Sequence, residues 1–152
     1  MLKRERLTRL FTDLVCSLYT LLFVYAALSK LLDYKTFMLQ LGQSPMLSAF
    51  ANWISWLVPS LEIVIALLLF IPRFKLTALF AAYILMSMFT AYIYILLNYS
   101  SFVPCSCGGI LDSLTWSQHM AFNLAFALLA VIAILAYPYH NSMKLRNYAA
   151  SI

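Results

Sequence analysis

The stretch WISWLVPSLEIVIALLLFI (residues 53–71), followed by PRFK (72–75) and LTALFAAYILMSMFTAYIYILL (76–97), decides the fold of this chain. Each apolar run approaches the roughly 20 residues that an α-helix needs to cross about 30 Å of hydrocarbon. The Pro72-Arg73-Phe74-Lys75 connection is so short that the two spans must be antiparallel neighbours. Outward from this pair, residues 11–32 and 119–137 form two further runs of the same kind. Hydrophobic residues make up 64% of the chain and charged residues only 10%, far from the usual soluble balance. These features predict an all-α integral membrane protein, a four-helix up-down bundle forming one domain over residues 1–152. Ala26-Ala27 imitates a signal-peptidase site, but the run before it is longer than a typical secretory h-region and more spans follow directly, so span one is expected to be retained.

Charge orients the bundle. Lys3, Arg4, Arg6 and Arg9 precede span one, Arg73 and Lys75 separate spans two and three, and Lys144 and Arg146 follow span four. The other two connections hold only Lys35, with Lys30 near the end of span one. By the positive-inside rule both termini and the 72–75 turn are cytoplasmic, and the loops 34–52 and 98–118 face outward. The net charge of +5 thus consists of topology signals and not a basic surface for nucleic acid. In the first outer loop, residues 34–41 place Phe37, Met38 and Leu41 on one helical face, and a second short run surrounds residues 46–50. These predict one or two interfacial helices, placed as a lid. Tyr34, Trp53, Trp56, Tyr99 and Trp116 fall at the proposed outer boundary, as an interfacial aromatic belt does.

The second outer loop carries Pro104-Cys105-Ser106-Cys107-Gly108-Gly109. Outside the cytoplasm, cysteines so close together are suited to redox work. Extended chain separates Cα atoms at i and i+2 by about 6.6 to 7 Å, the upper limit for a disulfide, so closure needs a bend and makes a more oxidising bridge. The glycines permit such a backbone and leave room for another protein's thiol. A structural bridge or two free thiols are the alternatives. Cys16 lies near the inner end of span one and is expected to be a packing residue. Cys105, Cys107, Asp112 and His119 could chelate zinc, but their spacing matches no strong zinc pattern and no metal is expected. An iron–sulfur cluster needs more cysteines than this surface offers.

Two further polar groups stand out. Glu62 lies within span two and Lys30 near the outer end of span one, where charge is costly, so they are expected to pair or to serve as electrostatic and proton-handling groups beside the cysteines. Trp116, His119 and Asn123, with Asp112 and Gln118, cluster where the loop enters span four, and Ser113 or Thr115 is placed to cap that helix. His119 and Asn123 share a face at i, i+4, suited either to packing on a neighbouring helix or to contacting a quinone or a partner.

Ala26-Ala27-Leu28-Ser29-Lys30-Leu31-Leu32-Asp33, Pro59-Ser60-Leu61-Glu62 and Cys105-Ser106-Cys107-Gly108-Gly109 with Trp116, His119 and Asn123 together resemble the MauE/DoxX group of small four-span, redox-associated membrane proteins, particularly its MauE branch. The resemblance covers most of the chain. MauE-like proteins are implicated in maturing periplasmic methylamine dehydrogenase, a disulfide-rich enzyme, alongside a thioredoxin-like partner; DoxX-like relatives are associated with quinone-linked sulfur oxidation. The resemblance therefore implies a bacterial inner-membrane location and thiol or electron transfer. The leading expectation is a thiol–disulfide oxidoreductase in which Cys105 and Cys107 exchange electrons with a periplasmic thioredoxin-like protein or an envelope substrate. The rivals are a noncatalytic docking subunit of an envelope complex and a quinone-linked accessory subunit.

Overall fold

A computed structural model describes residues 2–44, 47–99 and 115–137, with side chains from Arg6 onward. Among these residues there are five α-helices, one 3₁₀ turn and no strand: α1 (Leu2–Leu32), α2 (Tyr34–Gln43), the 3₁₀ turn (Ser48–Phe50), α3 (Ala51–Phe70), α4 (Lys75–Tyr99) and α5 (Trp116–Ala136). Four of them, α1, α3, α4 and α5, are long and apolar enough to cross a membrane.

Helix α1 begins well before residue 11, because the Leu, Lys, Arg and Glu residues that open the chain are strong helix formers. Its 31 residues span about 46 Å at 1.5 Å per residue, more than the hydrocarbon thickness, so its basic first turns stand outside the apolar layer. Helix α5 begins at Trp116, earlier than residue 119, because Thr115 caps it. The Thr115 hydroxyl accepts from the Gln118 N–H at 3.4 Å, and the Gln118 side-chain carbonyl accepts from the Thr115 N–H at 2.9 Å. This reciprocal capping box satisfies two otherwise orphaned donors. The face of α2 differs from the expected one: Gln40 and Leu41 are buried, while Met38 is exposed. Phe37, Gln40 and Leu41 follow i, i+3, i+4 spacing and turn inward, so a polar side chain stands where the hydrophobic pattern placed a methionine.

The spanning helices form a ring. Helix α1 packs chiefly on α3 and α4 chiefly on α5, with α3 against α4 and α1 against α5 completing the circuit. Tyr19, Phe23, Leu69 and Leu79 fill the centre. Ala78 and Ala82 on α4 meet a helix with Ala127, Ala130 and Ala133 buried at helical spacing, and such small side chains allow helix backbones to approach closely. The Tyr19 hydroxyl donates to the Phe126 carbonyl at 2.5 Å, with the two rings edge to face, locking α1 to α5. In the N-terminal half of α1, the Lys75 ammonium meets Asp13 at 2.5 Å. The outer faces are leucine-rich: Leu7, Leu14, Leu21 and Leu28 repeat every seventh residue along α1 and all are exposed. Apolar surface on this scale is stable only against lipid, and the protein is a multi-pass membrane protein.

Helix α2 covers the opposite end of the ring from Asp13 and Lys75. The Tyr34 ring packs against Trp56 with centroids 5.3 Å apart and planes tilted by 44°, and its hydroxyl lies 3.0 Å from Ser55 Oγ, which itself donates to the Asn52 carbonyl. At the far end of α2, the Tyr92 hydroxyl donates to Ser44 Oγ at 3.1 Å. The short helix is therefore fastened to both α3 and α4. Trp53 and Tyr99, strongly exposed, stand at this same end.

Candidate functional site

Beneath α2, the four spanning helices line a partly open cavity of about 360 Å³. Its charged centre follows from two helix positions. Lys30 occupies the last turn of α1, where an ammonium offsets the partial negative charge of the helix end, and its Nζ donates to the Ala26 carbonyl at 3.3 Å. The same Nζ reaches Glu62 Oε1 at 2.7 Å. Phe37 of α2 and Phe89 of α4 set their rings about the ammonium, with centroids 6.0 and 5.8 Å away, at the outer range of a cation–π contact.

Glu62 is wholly buried, at 0% exposure, whereas the Lys30 side chain keeps 21%. Glu62 sits one turn past Pro59, which lacks an N–H and so cannot donate to the Ser55 carbonyl as a normal helical residue would. A buried carboxylate is tolerable only with a cationic partner, and here that partner holds one oxygen only. The other, Oε2, has no hydrogen-bond partner among the described residues.

Helix α5 supplies the facing polar groups. Its capping box fixes the first turn, so Trp116, His119 and Asn123 project along one face at i, i+3 and i+7. Trp116 and His119 stack at 6.4 Å with their planes 26° apart. Asn123, 3% exposed, lies deeper, and its Nδ2 also has no hydrogen-bond partner among the described residues. All three line the cavity together with Lys30 and Glu62. The two polar groups that the sequence presented separately thus line one chamber.

Lys30 and Glu62 pair as expected from charges in neighbouring spans. Cys16 is 4% exposed within the core beside Val15 and Tyr19, about 21 Å along α1 from Lys30, and it does not line this chamber. Cys105, Cys107, Asp112 and Ser113 lie outside the described residues. The helix ends that flank their segment, Tyr99 and Trp116, are both at the α2 end of the bundle. Among the described residues no group of three or more His, Cys, Asp or Glu side chains is disposed to hold a metal. The sequence reading did not single out Gln40, Phe89 or Tyr92 as lining residues. A usable signal for the first was the polar pair Gln40 and Ser44 at i, i+4 on an otherwise apolar face.

A ring of four spanning helices, roofed by a short helix and holding an ion pair in a mostly apolar chamber, defines a small multi-pass membrane protein with a ligand-sized interior site. The family is specific: the model of methylamine utilisation protein MauE matches residues 8–136, and the chain belongs to that family. No significant match was found among curated proteins or solved structures.

Proposed function

We propose that this protein is a thiol–disulfide exchange protein of the bacterial inner membrane, with both termini cytoplasmic and Cys105 and Cys107 on the periplasmic side. A thiolate of a periplasmic thioredoxin-like protein, or of an envelope substrate, attacks one sulfur of the Cys105–Cys107 disulfide and expels the other as thiolate. A second partner thiol then resolves the mixed disulfide. The partner loses two electrons and two protons, and this chain gains them; the reverse direction uses the same steps. The observation that supports this reading is the convergence of Lys30, Glu62, Trp116, His119 and Asn123 on one cavity, at the end of the bundle to which the cysteine-bearing segment is anchored. A polar site in the apolar layer suits a protein that moves electrons between a surface partner and the membrane.

Trapping tests the proposal. In cells carrying Cys107→Ala or Cys105→Ala, acid quenching and alkylation should reveal a mixed disulfide between the remaining cysteine and a periplasmic protein. If neither variant captures a partner and client maturation is intact in both, the protein acts instead as a docking subunit.

A further inference from the structure

The chamber beneath α2 has a mouth. Among the described residues of the spanning helices that line it, three are exposed, Leu57 and Leu61 on α3 and Met88 on α4, while the rest are buried or half-buried. The opening therefore lies between the neighbouring helices α3 and α4, on a surface that faces lipid. The lining covers residues 22–30 of α1, 54–62 of α3 and 85–93 of α4, about 12 Å along each axis at 1.5 Å per residue. That is most of the depth of one leaflet, about 15 Å of hydrocarbon. The polar groups withdraw from this space. Glu62 is 0% and Asn123 3% exposed, and the Lys30 ammonium is engaged by Glu62 and the Ala26 carbonyl. An occupant meets chiefly aliphatic side chains and the rings of Phe37, Phe89 and Phe122. Left empty, such walls forfeit dispersion contacts along their whole length, and water finds too few hydrogen-bond partners to fill them.

We propose that the chamber takes one acyl chain of a phospholipid from the leaflet at the α2 end, entering between α3 and α4. Trp53, Leu57 and Leu61 follow at i, i+4 and i+8 along one face of α3, so a chain that passes the two leucines leaves its headgroup level with an exposed interfacial tryptophan. On the other side of the mouth, Met88 is unbranched and flexible, and adapts to a chain in motion. The chain restores the contacts that the walls otherwise lack and places no polar atom in the interior. Neither thiol exchange nor the orientation of the bundle enters this argument.

Photolabelling tests the site. The full chain is placed in phospholipid nanodiscs containing phosphatidylethanolamine with a diazirine midway along one chain, and adducts are mapped by peptide mass spectrometry after irradiation. Adducts should form on Met86 and Ile93, which line the chamber although each is only 3% exposed, as well as on the lipid-facing Leu21 and Leu28. Leu69 and Leu79, equally buried but outside the chamber, should stay unlabelled. Met88→Trp narrows the mouth and Ala26→Phe fills the chamber from α1. Each should lower the Met86 yield about tenfold relative to Leu28, whose labelling reports correct insertion, because the chain would have to overpack the site. Three results would overturn the proposal: adducts confined to lipid-facing residues, parental Met86 labelling in both variants, or loss of the interior adducts on adding equimolar ubiquinone-1, which has no acyl chain.

Discussion

Replacing Lys30 by Met and Glu62 by Gln, singly and together, should give unequal single losses and a large coupling. The inequality follows from what each substitution leaves behind. Lys30→Met strands a carboxylate with 0% exposure whose second oxygen already lacks a partner among the described residues, the situation in which breaking a buried pair costs about 3–5 kcal/mol. Glu62→Gln leaves an ammonium that keeps 21% exposure, the Ala26 carbonyl at 3.3 Å and an amide oxygen in place of Oε1, so its loss should approach that of one charge-assisted hydrogen bond, about 1.5–3 kcal/mol. With both charges gone, neither is stranded, and the double variant should fall no lower than Glu62→Gln alone. Reversible unfolding in mixed micelles, followed by circular dichroism, measures all four corners of the cycle. A coupling below about 0.5 kcal/mol, or a Glu62→Gln loss exceeding that of Lys30→Met, would refute the reasoning, because independent sites add.

Tyr19→Phe removes the hydroxyl that donates to the Phe126 carbonyl while keeping the ring contact, and should lower stability by about 1 kcal/mol in the same unfolding assay. Thr115→Ala should cost about 1 kcal/mol and speed amide exchange at Gln118 and His119, measured by hydrogen–deuterium exchange, because it removes the hydroxyl half of the capping box. Membrane-impermeant maleimide, added to intact cells after reduction, should label Cys105 and Cys107 and leave Cys16 unmodified. Labelling from the cytoplasmic face alone would invert the proposed topology.

The spanning helices were legible because hydrocarbon thickness imposes a length that soluble cores do not, and the 72–75 turn declared which two must be adjacent. Their ends were less so. Hydropathy sees where lipid begins, whereas Leu2 and Trp116 begin helices for reasons of propensity and capping; Thr115, one of the two caps the sequence offered, starts α5, although the apolar count began only at residue 119. Lys30 and Glu62 could be paired from sequence because charge within a span demands a partner. That His119 and Asn123 face the same chamber as that pair could not, since i, i+4 spacing fixes a shared face but not what the face meets. Gln40 shows the same limit from the other side: on a short helix at the membrane surface a polar residue is expected to face water, whereas here the ties of Tyr34 and Tyr92 to Ser55 and Ser44 hold the helix with this face turned inward.

The bond from Tyr19 to Phe126 lies ten residues into α5, far from the end where that helix is joined to α4. The azimuth of α5 is therefore set from inside the bundle, and its starting point by its own cap. These two contacts hold α5 in the ring from within the membrane body.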